Sequence, residues 1–244
     1  PDIVRIALTA VAGGAANPVA RWIESDDEAE PVGSYYRSTR QALGVLEVSA
    51  GSPRIELDRL NDQPLTVRGV GSIYIPLRIS PMPQPASTIR NSLNHFTQNT
   101  ILWTALHLSD DDRRILISIS QAPERTMGWY ADAFDLPGWE DIPSFAPPED
   151  GREAELFAEA RSVCLDYCGK ESFEYRLLDR GIATNHGQMP QRLRRMMVAL
   201  IDRSICRITV ATATLTEGVN LPFDMIFLPS LKRITKRPVL DLDA

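Results

Sequence analysis

An α/β fold built on a mainly parallel sheet is what this sequence predicts, and three observations predict it. Four short apolar runs, at 114–119, 181–184, 207–211 and 225–228, have the length and character of buried strands. Segments of helical periodicity separate them, and strands that alternate with helices form parallel sheets covered on both faces. The composition is that of a globular chain, with 244 residues of which 43% are hydrophobic and 24% charged. That length suits one large or two small domains.

From the amino terminus, Ile3-Val4-Arg5-Ile6-Ala7-Leu8 reads as a buried strand. Asn17-Pro18 opens a short helix carrying Val19, Ala20, Trp22 and Ile23, with the proline in the first turn, where its missing N–H is harmless. The acidic run 24–30 is a surface loop. Residues 43–48 and 65–79 alternate in the manner of strands, and Gly69 and Gly71 mark a bend or bulge. Pro81, Pro83 and Pro85 stiffen a connector, after which Ile89, Leu93, Phe96, Ile101 and Leu102 recur at helical spacing to about 108. The strand at 114–119 leads to a helix that Pro123 starts and that runs to about Phe134. A proline-rich stretch at 137–148 has no periodicity. Helices near 152–168 and 171–179, a strand at 181–184, a helix over 190–203, a strand at 207–211, a loop and a strand at 225–228 complete the pattern.

Acidic residues outnumber basic ones, 32 to 26, and the formal charge of -6 argues against a general nucleic-acid coat. The charge is unevenly placed. Residues 180–238 hold ten basic and three acidic side chains, so this stretch is +7 within a chain of -6 and points weakly to a polyanionic partner. A solvated helix face is the plainer explanation of the same asymmetry. Cys164, Cys168 and Cys206 are too few for a disulfide framework and read as reduced thiols. Cys164 and Cys168 stand at helical i, i+4 spacing, but structural zinc takes four ligands in tight pairs and the nearest histidine is distant, so no metal site is expected. No run of about 18 uncharged apolar residues and no basic-then-apolar leader is present, so a cytoplasmic protein with no membrane partner is expected. The chain enters an apolar run at once and stops without a capping element, which suggests a piece of a longer polypeptide.

The stretch richest in chemistry is 208–222, Ile-Thr-Val-Ala-Thr-Ala-Thr-Leu-Thr-Glu-Gly-Val-Asn-Leu-Pro. A strand runs into a loop dense with hydroxyls, and hydroxyls with free backbone N–H groups at a strand's carboxyl end can hold phosphate oxygens. Gly218 permits close backbone approach, and Asn220 offers both a donor and an acceptor. A plain strand-to-helix loop has the same composition. Upstream, 181–194 reads Gly-Ile-Ala-Thr-Asn-His-Gly-Gln-Met-Pro-Gln-Arg-Leu-Arg, a strand that ends in a His-Gly turn and passes into a basic helix.

Together these two segments resemble the second RecA-like domain of superfamily 2 helicases, in the branch of the archaeal repair helicases and the RNA-exosome helicases. There a strand ends in a His-His-Ala-Gly-like turn, a helix with a prominent arginine follows, and about twenty residues later comes an Ala-Thr-x-Thr-Leu-x-x-Gly-x-Asn-x-Pro loop, motif V. Ala211, Thr212, Thr214, Leu215, Gly218, Asn220 and Pro222 match that loop, and His186 and Arg194 fall at the corresponding distances. Residues 114–124 resemble motif IV. Ala7 to Val11 and Ala20 to Ile23 resemble the end of the first RecA-like domain, although Thr9-Ala10-Val11 departs from the usual Ser-Ala-Thr.

The resemblance implies a RecA-like parallel sheet flanked by helices, with the end of a first RecA-like domain over 1–30, a β-rich connector or insertion over 31–98, and a second helicase domain over 99–244 that stops before motif VI. It implies that Thr212, Thr214, Arg194 and His186 lie toward single-stranded DNA or RNA, and that Glu217, Gly218 and Asn220 lie toward the nucleotide. ATP and Mg2+ are implied as cofactors, and the rest of the helicase chain as a partner. No phosphate loop, Asp-Glu metal box or Gln-x-x-Gly-Arg-x-Gly-Arg motif is present, so this piece alone is expected to hydrolyse nothing. The alternative is a non-catalytic nucleic-acid-binding or scaffold module that keeps the fold without the phosphate loop. Trp129-Tyr130 and the Tyr35-Tyr36-Arg37 cluster with Arg40 are further candidate surfaces for bases, with a place in the core the more ordinary fate of Trp129-Tyr130.

Overall fold

The computed structural model describes residues 21, 42–49, 52–60, 63–64, 73–84, 86–109, 113–119, 123–212, 223–229, 232–233 and 240–241. The strand expected at 3–8, most of the helix after Asn17 and the Tyr35–Arg40 cluster lie outside these residues. The chain falls into two compact units, Pro1–Val45 with Glu56–Ile75, and Leu46–Ile55 with Pro76–Ala244.

The first unit holds the base of a hairpin between β1 (Ala42–Ser49) and β2 (Ser52–Leu60), with β3 (Gln63–Pro64) and β4 (Ile73–Pro76) both pairing with β2. Arg59 stands opposite Pro64 and Leu60 opposite Gln63 in an antiparallel register. Leu46–Ser49 of β1 and Ser52–Ile55 of β2 belong to the second unit, where the Arg54 guanidinium donates twice to Glu47 Oε2, at 3.1 and 2.9 Å.

In the second unit the helix expected over 87–108 is broken in two, α1 (Ser87–Arg90) and α2 (Leu93–Leu108). Ser92 causes the break: it is extended, and its hydroxyl accepts from the His95 N–H to cap α2. Then follow β5 (Ile115–Ile119), α3 (Pro123–Ala133), α4 (Gly151–Cys168), α5 (Phe173–Leu178), β6 (Ile182–Asn185), α6 (Gln191–Asp202), β7 (Ile208–Thr212) and β8 (Met225–Phe227). The last four strands named form one all-parallel sheet in the order β6-β7-β5-β8. This is the α/β sheet that the alternation of apolar runs and helices predicts, and it accords with a RecA-like fold.

Packing explains why these strands read as unbroken apolar runs. Ile115, Ile117, Ile119, Ile182, Ile208 and Val210 lie in one core cluster with α2 and α3 residues such as Leu102, Leu106, Met127 and Tyr130. The intervening positions belong to the opposite face: Ala183 packs with Phe157, Leu193 and Met197 of α4 and α6, and Leu116 and Ala211 pack against Val198. Both faces are therefore covered, the situation in which a strand loses its polar alternation.

The proline-rich stretch is tied down. Trp139 is 2% exposed and edge-on to Trp103, with ring centroids 5.1 Å apart. Further on, Phe145 lies against Phe157 at 5.3 Å and directly over Gly181, where a Cβ would overlap its ring. Gly181 also has a φ of +71°, so the residue just before β6 is one that two independent constraints restrict to glycine.

Candidate nucleic-acid interface at the carboxyl edge of the sheet

β6 and β7 run side by side and end at the same edge, with Asn185 opposite Ala211 and Thr212 opposite Ile119 of β5. Ligands of open α/β sheets sit outside this carboxyl edge. The residue after β6 is His186 and the last residue of β7 is Thr212, so two of the sequence-derived candidates occupy neighbouring strand ends. Thr212 is partly buried. Thr214, Glu217, Gly218 and Asn220 lie outside the described residues.

His186 is 3% exposed, and its Nε2 lies 3.2 Å from Oε1 of Glu174, itself 9% exposed in the first turn of α5. The Phe173 ring stands 5.8 Å from the imidazole. The histidine is thus an anchor for the turn, not a group open to substrate. Ser172 fixes the partner, because its hydroxyl accepts the Tyr175 N–H at 3.2 Å and starts α5 where Glu174 can reach inward.

Arg194, on the first turn of α6, folds back over the same turn. Its Nη2 donates to three carbonyls, those of His186 at 3.2 Å, Gly187 at 3.1 Å and Met189 at 3.2 Å. The Met189 N–H closes the turn onto the His186 carbonyl at 3.2 Å. Gly187 and Gln188 are the residues this arrangement leaves exposed. Of the flanking arginines, Arg192 reaches Glu159 at 3.5 Å with both side chains mostly in solvent, and Arg195 is exposed. Pairs of that kind contribute little.

Several buried polar atoms at this edge and further back in the sheet have no hydrogen-bond partner: His186 Nδ1, Arg194 Nε, Thr184 Oγ1 and, toward the start of β7, Thr209 Oγ1. The two threonines alternate across the sheet, so each interrupts a different apolar layer. Glu174 is the buried neighbour of His186 that sequence reasoning missed. Its distance from His186 in the chain gives no periodic signal, and only the α5-to-β6 turn brings them together.

Trp129 and Tyr130 part company in the structure. Tyr130 is fully buried and its hydroxyl donates to Gln98 Oε1, whereas Trp129 is half-buried and stacked flat on His95, centroids 4.5 Å apart at 13°. The three cysteines are free. Burial raises the Cys164 and Cys168 thiols and pushes Cys206 up to about 12, so none is an activated nucleophile. Among the described residues no group of three His, Cys, Asp or Glu side chains could hold a metal ion. No helix among them is long and apolar enough to cross a membrane. Set against known proteins, the chain matches no family model and no curated sequence.

Proposed function

We propose that this chain is part of an ATP-dependent nucleic-acid helicase or translocase, its second motor domain, and that the carboxyl edge of the β6-β7-β5-β8 sheet meets the phosphate backbone of a single strand. One observation supports this most: the 186–190 turn and Thr212, which carry the resemblance to superfamily 2, end adjacent parallel strands at one edge. The Thr212 hydroxyl, the exposed Gly187-Gln188 turn and the charge of Arg194 would position phosphates without reading bases. Domain closure against the first motor domain would carry this surface along the strand. On the resemblance alone, the proposal gives Glu217, Gly218 and Asn220 a nucleotide-facing role, and a cytoplasmic setting, suited to the free thiols, belongs to the same proposal.

A second reading, a non-catalytic binding or scaffold module, is favoured by the commitment of Arg194 to three carbonyls and of His186 to Glu174. Fluorescence anisotropy with labelled oligo(dT) and oligo(U), run against salt, tests whether the edge meets a strand at all and so separates the proposal from a scaffold that binds no nucleic acid. The helicase reading expects binding that weakens with salt, and Arg194→Ala should reduce the slope of log K against log salt by about 0.7, one single-strand phosphate contact. A lower melting temperature with an unchanged slope would make Arg194 a structural clamp alone. Absence of binding to both strands at low salt would overturn the proposal.

A further inference from the structure

A separate concavity lies between Val48 of β1 and Pro53 of β2 on one side and α2 on the other, and all of its walls belong to the second unit. Its volume is about 330 Å³, near the lower end of small-molecule pockets, roughly 300–1,000 Å³. Trp103 and Thr104, 3% and 1% exposed, form the floor together with the buried Pro53. Met82 and Phe96 are half-buried walls, and Val48, Gln84 and Arg90 are the exposed rim.

The interior offers little to a polar guest, because its donors are already engaged. Thr100 Oγ1 donates to the Phe96 carbonyl at 2.9 Å, Thr104 Oγ1 donates to the Thr100 carbonyl at 2.8 Å, and the Trp103 indole N–H donates to the Ser80 carbonyl at 2.7 Å. What faces inward is mainly carbon. The rim has the opposite character. Arg90 makes no ion pair among the described residues, and Glu47 of β1 is held by Arg54. An apolar chamber with one cation at its mouth matches a guest that is apolar along its length and anionic at one end.

We propose that this cavity binds a small amphiphilic carboxylate, its apolar body lying on Phe96, Met82 and Trp103 and its head group at Arg90, with the Gln84 amide beside it. The site is independent of the sheet edge and of any nucleic-acid role. Head and body make separable contributions, since the guanidinium recognises charge and the aromatic floor recognises area.

Calorimetric titration of the full chain with decanoate below its micellar concentration, and with decanol as the uncharged match, tests it. Expected are saturable one-to-one binding of decanoate and about ten-fold weaker binding of decanol, the difference one charge-assisted contact makes. Arg90→Gln, at an exposed position, should bring decanoate down to the level of decanol and leave decanol unchanged. Thr100→Phe should fill the chamber and abolish both, with Met82→Trp from the opposite wall serving if that variant does not fold. Equal affinity of the parent for the two probes, full decanoate affinity in Arg90→Gln, or uptake that never saturates would each overturn the assignment.

Discussion

Gly181 is the sharpest place to test how the structure is held, because two costs coincide there and a second glycine separates them. An L-residue at a φ of +71° is strained by roughly 1–2 kcal/mol. Its Cβ would also enter the Phe145 ring, which cannot simply swing aside because Phe157 lies against it at 5.3 Å. Overpacking of this kind costs about 1–3 kcal/mol. Gly181→Ala should therefore destabilise by roughly 2–5 kcal/mol. Gly151, at the start of α4, has nearly the same φ, +72°, but no heavy atom within 4 Å of the position its Cβ would take. Gly151→Ala should cost only the strain, about 1–2 kcal/mol. Urea unfolding of both variants, compared at equal m-value, gives the difference directly. Equal midpoints would show that Phe145 is not wedged over Gly181 and that the proline-rich stretch is packed in another way.

Three further outcomes are expected. Glu174→Leu leaves His186 Nε2 buried without its partner and should destabilise by about 1–3 kcal/mol, whereas Glu174→Gln, which can still accept or donate, should cost less; thermal unfolding of the pair decides, and an equal loss would refute the anchoring role. Trp139→Ala should remove about 3–5 kcal/mol by emptying the contact with Trp103, measured by the same unfolding experiment, and a loss under 1 kcal/mol would mean the proline-rich stretch is not tied to the core. Cys206 has a folded pKa of about 12 against about 8.5 when unfolded, so its contribution to stability is complete below pH 8.5 and lost as pH rises toward 12. Thiol labelling at pH 8.5 should accordingly be slow in the folded chain and fast in denaturant, and rapid labelling of native protein at Cys206 would contradict its burial.

The sheet was the most legible part of the sequence for a physical reason. β5 and β7 are buried on both faces, so Ile115–Ile119 and Ile208–Thr212 carry apolar runs that few other elements could tolerate. Their carboxyl ends were less clear. β6 and β7 each extend one residue further than hydrophobicity suggests, to Asn185 and Thr212, because ladder register rather than side-chain character decides where pairing stops. β2 is illegible from composition: Pro53, Arg54, Glu56, Asp58 and Arg59 in nine residues do not look like a strand, yet pairing with neighbours on both sides makes one. At the candidate site, the spacing of His186 and Arg194 pointed to a turn that the two residues tie together in the structure. What it could not convey was direction. A basic helix pattern presents arginines to solvent, and only the three-dimensional turn supplies the three carbonyls that draw Arg194 back.

That inward fold of Arg194 changes the thermodynamics of anything that approaches the edge. A long cationic side chain on an open surface surrenders up to about 2 kcal/mol of rotamer freedom when an anion immobilises it. Here the loss has already occurred during folding, since the guanidinium is fixed by the turn it closes. An anion arriving beside Gly187 and Gln188 meets a stationary electric field and orders nothing further in the protein. Association at this edge is consequently expected to carry a small entropic penalty from Arg194, and its dependence on temperature to reflect the release of ions and water more than the stiffening of the chain.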